Sequence, residues 1–311
     1  MSRLVTLFGG GGFLGRYVAQ ELLKAGARVR VAERDPRKAL VIKTLVGLGQ
    51  TQFVAADITK ADSVARAVAG SDSVVNLIGI LAGDFKAIHV KGAANVAQAA
   101  ANAGATALVH VSAIGADPES ASAYGRTKGE GEAAVKAAFA GATIIRPSIL
   151  FGQEDDFVNR FAAMQAMPVV PVLRGDVKFQ PAWVADVARA IAAAELDPTT
   201  YGRQTYELGG PEHITIQGLQ DFIAGETGRE PTFVPVPDAI GGAVATVASF
   251  LHGAPITRDQ WLMLQTDNVA TSDGFAAFGI EPTPMDAIAP AWLVQFKPRG
   301  RFAPARAKPA A

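Results

Sequence analysis

The segment Leu4-Val5-Thr6-Leu7-Phe8-Gly9-Gly10-Gly11-Gly12-Phe13-Leu14-Gly15 decides how the chain folds. Its first five residues, apolar except for Thr6, predict a buried strand. A helical pattern, Leu14 to Lys24, follows, so Gly9, Gly12 and Gly15 form GxxGxxG at a strand-to-helix turn. Glycine permits the tight turn. It also lets a pyrophosphate approach backbone amides at the helix N-terminus, where unpaired N–H groups and the helix dipole favour an anion. The segment therefore predicts a dinucleotide site in which Gly9, Gly12, Phe13, Leu14 and Gly15 meet the phosphates. A plain glycine-rich turn is the competing reading, and the flanking strand and helix weigh against it.

The same rhythm continues through the first half of the chain. Strands are expected at Arg28 to Ala32, Gln52 to Ala55, Ser73 to Ile78, Ala107 to Ser112 and Thr143 to Arg146. Helical patterns lie between them at Ala61 to Ala69, Phe85 to Ala103 and Ala123 to Ala138. Strict alternation implies right-handed crossovers and an α/β fold with a doubly wound (Rossmann) parallel sheet. Residues 1–150 are expected to form this dinucleotide-binding domain. After Pro147 the pattern changes to loops punctuated by Gly and Pro (Pro168 to Gly175), a helix at Val184 to Ala194 and a strand at Gln204 to Leu208, expected to return to the sheet. Mostly helical patterns follow, so residues 151–296 are expected as a smaller, mainly helical C-terminal lobe. Residues 297–311 carry Lys297, Arg299, Arg301, Arg306 and Lys308, three prolines and no acid, the composition of a basic, disordered tail.

Of the 311 residues, 49% are apolar, enough to build a sizeable core and to rule out disorder for the bulk of the chain. Twenty-nine basic residues balance 29 acidic ones, which leaves no global field for gripping nucleic acid. No cysteine is present and the four histidines are scattered, so no metal site is expected. The N-terminus enters a strand at once, without room for a secretory signal, and a cytoplasmic location is expected. Ala239 to Thr257 carries no charge, but Gly241, Gly242, Thr246, Ser249, His252, Gly253 and Pro255 dilute it as a membrane span. Within it, Ile240, Val244, Val247, Phe250 and Leu251 form an apolar stripe. The stripe is either core of the small lobe or a docking face for a membrane-embedded subunit or the lipid boundary.

Specificity and chemistry fall on residues beyond the glycine turn. Glu33, 24 positions after Gly9, stands where a carboxylate accepts hydrogen bonds from an adenosine ribose. Its neighbours Arg34, Arg37 and Lys38 suit a 2′-phosphate instead, so NADP(H) is expected, with NAD(H), selected through Glu33, as the alternative. Asp57 and Ile58 are expected at the adenine edge, and Asn76, Leu77, Ile78 and Gly79 along the nicotinamide ribose. Tyr124 and Lys128 form YxxxK on one helical face, downstream of Ser112 at a strand end. A lysine cation lowers a neighbouring phenol pKa, and the tyrosine can then pass a proton to a carbonyl as hydride arrives. Alternatively, Tyr124 packs and Lys128 only holds the cofactor ribose.

Together GGGGFLG, Asp57-Ile58, NLIG, Val111 to Asp117, YGRTK and Arg146-Pro147-Ser148 before Phe151-Gly152 resemble the short-chain dehydrogenase/reductase superfamily. A narrower resemblance covers most of the chain. GGGGFLGRYV, NLIG, RPSILFG (Arg146 to Gly152) with Glu154-Asp155, Gln180-Pro181 before Val184 to Val187, and Ile256 to Asp259 are similar to the NAD(P)H-binding accessory subunits of respiratory complex I (NADH:ubiquinone oxidoreductase). That resemblance implies an atypical dehydrogenase fold, tightly held NADPH with Pro147 beside it, and a role in assembling or steadying the quinone-side region. The implied partners are complex I subunits near the quinone module and the inner face of a bacterial or equivalent respiratory membrane. Turnover is not implied. Only 12 positions separate Ser112 from Tyr124, and Ala113 follows Ser112 where a second hydroxyl is common, so the substrate-covering loop is short. A soluble NAD(P)-dependent reductase, epimerase or dehydratase of a nucleotide sugar or small carbonyl compound is the second expectation. A redox-sensing regulator that binds NADP(H) is the third.

Overall fold

The structure, a computed structural model, describes residues 2–45, 49–248 and 256–298. Two compact units divide the chain: Met1–Ser148 with Val184–Gly209 and Ala270–Pro282, and Ile149–Trp183 with Gly210–Val269 and Thr283–Ala311.

The first unit begins with β1 (Leu4–Phe8), α1 (Phe13–Lys24), β2 (Arg28–Glu33), β3 (Thr51–Ala55), α2 (Ala61–Val68) and β4 (Ser73–Asn76). It continues through α3 (Ala93–Asn102), β5 (Ala107–Val111), α4 (Ala123–Ala138) and β6 (Thr143–Pro147). In the second unit lie β7 (Leu150–Phe151), α5 (Phe157–Met164), β8 (Val169–Leu173), β9 (Lys178–Phe179) and β10 (Ala182–Trp183). The chain then returns to the first unit as α6 (Val184–Leu196), α7 (Pro198–Tyr201) and β11 (Thr205–Leu208).

All seven strands of the main sheet run parallel in the order β11-β6-β5-β4-β1-β2-β3. The sequence pattern explains this arrangement: every residue of β4 and β5 is buried, as a strand covered on both faces requires. Phe8, Val74, Leu108 and Ile144 share one core with Val64 of α2, Val96 of α3 and Val135 of α4. Alternation along β1 turns Leu7 to the other face, where α1 and α6 pack together. Because β1 has β2 on one side and β4 on the other, the strand order reverses there. A doubly wound sheet opens its ligand crevice at that point, beyond the C-terminal strand ends.

Two boundaries differ from the sequence expectation for local reasons. β4 stops at Asn76, whose Oδ1 accepts from the Ile78 amide at 3.1 Å and so turns the chain out of the sheet. The helix expected from Phe85 opens as a π-helical turn, Lys86–Gly92, before α3 begins.

The second unit also contains β12 (Ile214–Thr215), α8 (Ile216–Thr227), β13 (Thr232–Val236), α9 (Asp238–Ala248) and α10 (Arg258–Met263). Its core joins Phe151, Val158 of α5, Leu219 and Ile223 of α8, and Trp292. The loop expected at Pro168 to Gly175 instead contains β8, paired in parallel with β13. Pro171 and Pro235 had disguised both strands, yet each sits in a two-stranded ribbon that tolerates a missing donor. In α9, Gly241 and Ala245 are buried, whereas Ile240 and Val244 are 55% and 46% exposed. A Cβ on Gly241 would stand 2.7 Å from the Trp261 ring, so the small residues make the close contact and the larger ones turn outward. The Val247 side chain, Phe250, Leu251 and tail residues 299–311 lie outside the described residues. Among those described, no helix is long and apolar enough to cross a membrane.

Candidate nucleotide-binding site

Between β1 and α1 the glycine turn is held by its own backbone. Gly9 adopts φ +81°, and its carbonyl accepts from the Gly12 amide at 3.1 Å. A Cβ on Gly15 would lie 2.2 Å from the Gly9 oxygen, so α1 can start against this turn only with glycine there. Gly12 is the N-cap of α1 and supplies no side-chain acceptor, which leaves the first-turn amides at Phe13 and Leu14 uncapped by protein side chains. Arg16, one turn on from Gly12, has a buried Nε without a hydrogen-bond partner among the described residues. An anionic ligand fits this donor set.

At the end of β2 the acidic and basic candidates separate. Glu33 accepts from the Gly11 amide at 2.8 Å, which commits one carboxylate oxygen to the glycine turn. Arg37 pairs with Asp35 at 2.9 Å, and that contact holds the Asp35 carboxyl below its usual range. Arg34 is exposed and has no hydrogen bond or ion pair with a described residue. Asp57 accepts from the Thr59 hydroxyl and amide at 2.7 and 3.0 Å, and these bonds, with help from the Lys60 and Arg34 charges, keep its carboxyl low. Ile58 is buried in the sheet core, so only its backbone can face a ligand, and its carbonyl accepts from Asn95 at 2.8 Å.

Beyond β4, Leu77 is tied to Phe8 by its amide, Ile78 to Asn76, and Gly79 is exposed. A Cβ on Gly79 would be 3.8 Å from Lys128 Nζ, so this loop and α4 meet. α4 is capped by Ser122, which accepts from the Gly125 amide, and α4 packs against the π-helical turn. A Cβ on Gly131 would collide with the His89 carbonyl at 2.1 Å, and glycine there permits the approach. The result is a fully buried Lys128 that donates to the Val111 carbonyl at 2.8 Å, beside Ser112. Burial pulls the Lys128 ammonium down to about 8, against the charge of Glu132. Tyr124, part-buried, has its phenol pushed up to about 12 by burial. Ser112 Oγ is buried without a hydrogen-bond partner among the described residues, while its amide donates to the Ile145 carbonyl at 2.7 Å. Pro147, buried at the end of β6, accepts through its carbonyl from Ile114.

A family model described as the NAD dependent epimerase/dehydratase family matches residues 5–209. The chain is 34% identical to mouse (Mus musculus) NADH dehydrogenase [ubiquinone] 1 alpha subcomplex subunit 9, mitochondrial, over 91% of its own length and 78% of the mouse protein. The chain belongs to the alpha subcomplex subunit 9 family. Another relative, the mitochondrial NADH-ubiquinone oxidoreductase 40 kDa subunit of Neurospora crassa, is 30% identical across 89% of this chain and 75% of that protein. Among solved structures, an Escherichia coli NADPH-dependent quinone oxidoreductase complexed with NADPH superposes with a TM-score of 0.76. It covers 93% of this chain and 99% of its own, at 20% identity, so the likeness is one of fold.

In this subunit 9 family member the sequence reading passed over one residue at the centre of the site, His89. It stacks on Phe85 (centroids 5.4 Å apart) and meets the Tyr124 ring edge-on at 5.4 Å. Burial and the neighbouring Lys128 charge pull His89 down to about 4. Its sequence signal was faint: a lone histidine four positions after Phe85 reads as one face of a helix, and the π-helical turn is what aims it inward. The reading also missed what Arg146 does. Its guanidinium pairs with Glu132 through two 2.8 Å contacts and reaches Glu207 at 3.4 Å, tying α4, β6 and β11 together. No group of residues among those described is arranged to hold a metal ion.

Proposed function

We propose that this chain is an NADP(H)-holding accessory subunit of a respiratory NADH:ubiquinone oxidoreductase, with a structural or assembly role and little or no turnover. The observation that carries this reading is the 34% identity to the mouse subunit along 91% of the chain, which extends through both units. Local geometry supports the cofactor. Gly9, Gly12, Phe13, Leu14 and Gly15 would hold the pyrophosphate, Asp57 and the Ile58 backbone the adenine side, and Asn76 to Gly79, Pro147 and Lys128 the nicotinamide side. The unpartnered Arg34 would take the 2′-phosphate while Glu33 stays on Gly11. Bound NADPH would supply a hydride donor, but the short loop between Ser112 and Tyr124 offers little to cover a substrate. Contact with quinone-side subunits, and peripheral attachment to the inner face of the membrane, belong to the same proposal. Purifying the tagged chain from its native membranes at moderate salt tests it: subunits of the respiratory complex should come with it. Recovery as a free protein, without those subunits, overturns the assignment.

One observation favours a second reading, a soluble NAD(P)-dependent reductase, epimerase or dehydratase. Ser112 Oγ is buried and unpartnered next to Lys128, as a hydroxyl awaiting a substrate carbonyl would be. Steady NADPH oxidation with a carbonyl compound, abolished in Tyr124→Phe, would establish that reading instead.

A further inference from the structure

The loop after β4 is pinned at nearly every amide. Leu77 N–H donates to the Phe8 carbonyl at 3.0 Å, Ile78 N–H to Asn76 Oδ1 at 3.1 Å and Ile80 N–H to His89 Nε2 at 3.0 Å. Gly79 is the exception. Its N–H meets no acceptor among the described residues, the residue is exposed, and the space where a Cβ would stand lies 3.8 Å from Lys128 Nζ and 4.0 Å from His89 Nε2.

The partners of His89 fix its protonation. A backbone N–H can only donate, so Nε2 must be the bare, accepting nitrogen, and the proton of the neutral ring resides on Nδ1. Nδ1 lies 3.0 Å from Thr127 Oγ1, whose own proton has the Ala123 carbonyl at 2.7 Å and the Tyr124 carbonyl at 3.2 Å to point to. Each atom in the run Ile80 N–H, His89, Thr127, Ala123 carbonyl therefore has a single consistent role, and the run joins the loop to the first turn of α4. Burial first, and then the charge of Lys128 one residue beyond Thr127, disfavour a second proton on the ring, which would also remove the accepting nitrogen that Ile80 uses.

We infer that His89 is a positioning residue for the nicotinamide half of the bound nucleotide: it clamps the Leu77–Ile80 loop to α4 so that the Gly79 N–H and the Lys128 ammonium face the ligand together. The inference rests on the nucleotide-binding reading above and adds to it the residue that couples the two sides of the pocket. The adenosine half, built on the glycine turn and the end of β2, does not depend on it.

Two ligands separate these halves. NADPH spans both, whereas adenosine 2′,5′-bisphosphate contains only the adenosine side. In calorimetric titrations, His89→Ala should weaken NADPH about tenfold, the order of one net hydrogen bond, and leave the bisphosphate within about twofold of wild type. His89→Gln, which keeps an acceptor for Ile80, should recover NADPH to within about threefold. If His89→Ala does not fold, Thr127→Val carries the test, since it preserves shape and frees the ring, and it should cost NADPH about threefold and the bisphosphate nothing. Nitrogen-15 NMR of the wild-type imidazole should show the Nδ1–H tautomer. Equal weakening of both ligands, no weakening of either, or an Nε2–H tautomer overturns the inference. A wild-type protein that binds neither ligand overturns the nucleotide reading itself, and the inference falls with it.

Discussion

At the end of β1 the site is made of backbone, whereas beside β4 and α4 it is made of buried side chains. The glycine turn works through positions where a Cβ has no room and through amides at a helix start, features that pH does not touch. The α4 side works through Lys128, His89 and Tyr124, whose protonation is set by what surrounds them. The first half presents its amides as soon as the chain is folded. The second half costs stability to maintain, because an ammonium and two polar rings are held away from water.

The strongest way to break this contrast is Gly15→Ala. Its Cβ would meet the Gly9 oxygen at 2.2 Å, so the turn must open. About 3 kcal/mol of stability should be lost in chemical denaturation, together with measurable nucleotide binding. Retained binding would show that the turn is not the phosphate cradle.

Next in size is Arg34→Ala. An exposed guanidinium with no hydrogen bond or ion pair among the described residues can give its hydrogen bonds to a 2′-phosphate, so NADPH affinity should fall about ten- to a hundredfold while NADH is unchanged. Equal losses, or a wild-type preference for NADH, make Glu33 the selector instead.

Lys128→Met sharpens the contrast because its two effects have opposite signs. NADPH should weaken about tenfold, and the ligand-free protein should become more stable at pH 7. The sign follows from the depressed pKa. Between about 8 in the folded chain and 10.5 in the unfolded one, the unfolded state binds more protons, so wild-type stability should rise as pH increases through that window. Thermal melts of wild type and Lys128→Met from pH 7 to 10 should converge. A constant gap would mean that burial is not what lowers Lys128.

Smallest of all is Tyr124→Phe, which should leave NADPH affinity within about twofold and respiratory activity unchanged. A drop in either would give the hydroxyl a role that its raised pKa does not suggest.

The alternation of strands and helices was legible because β4 and β5 are buried on both faces and the crossovers from β1, β3, β4 and β5 each carry one helical pattern. The glycine spacing was legible for a related reason, since a turn between adjacent elements is a local matter. β8 and β13 were not, because Pro171 and Pro235 interrupt the pattern and the two strands pair across some sixty residues. His89 was hidden for a third reason: its role depends on a π-helical turn and on Gly131 admitting α4 against its carbonyl, and neither leaves a periodicity to read. The pKa of Lys128 likewise follows from burial by distant segments, which YxxxK alone does not encode.

The nucleotide content of the protein taken directly from its native membrane tests the central claim most directly. Denaturing the purified material and separating what is released should yield about one NADP(H) per chain, in the fraction that also contains the respiratory subunits. NAD(H) in its place, or no nucleotide at all in that fraction, would contradict the claim.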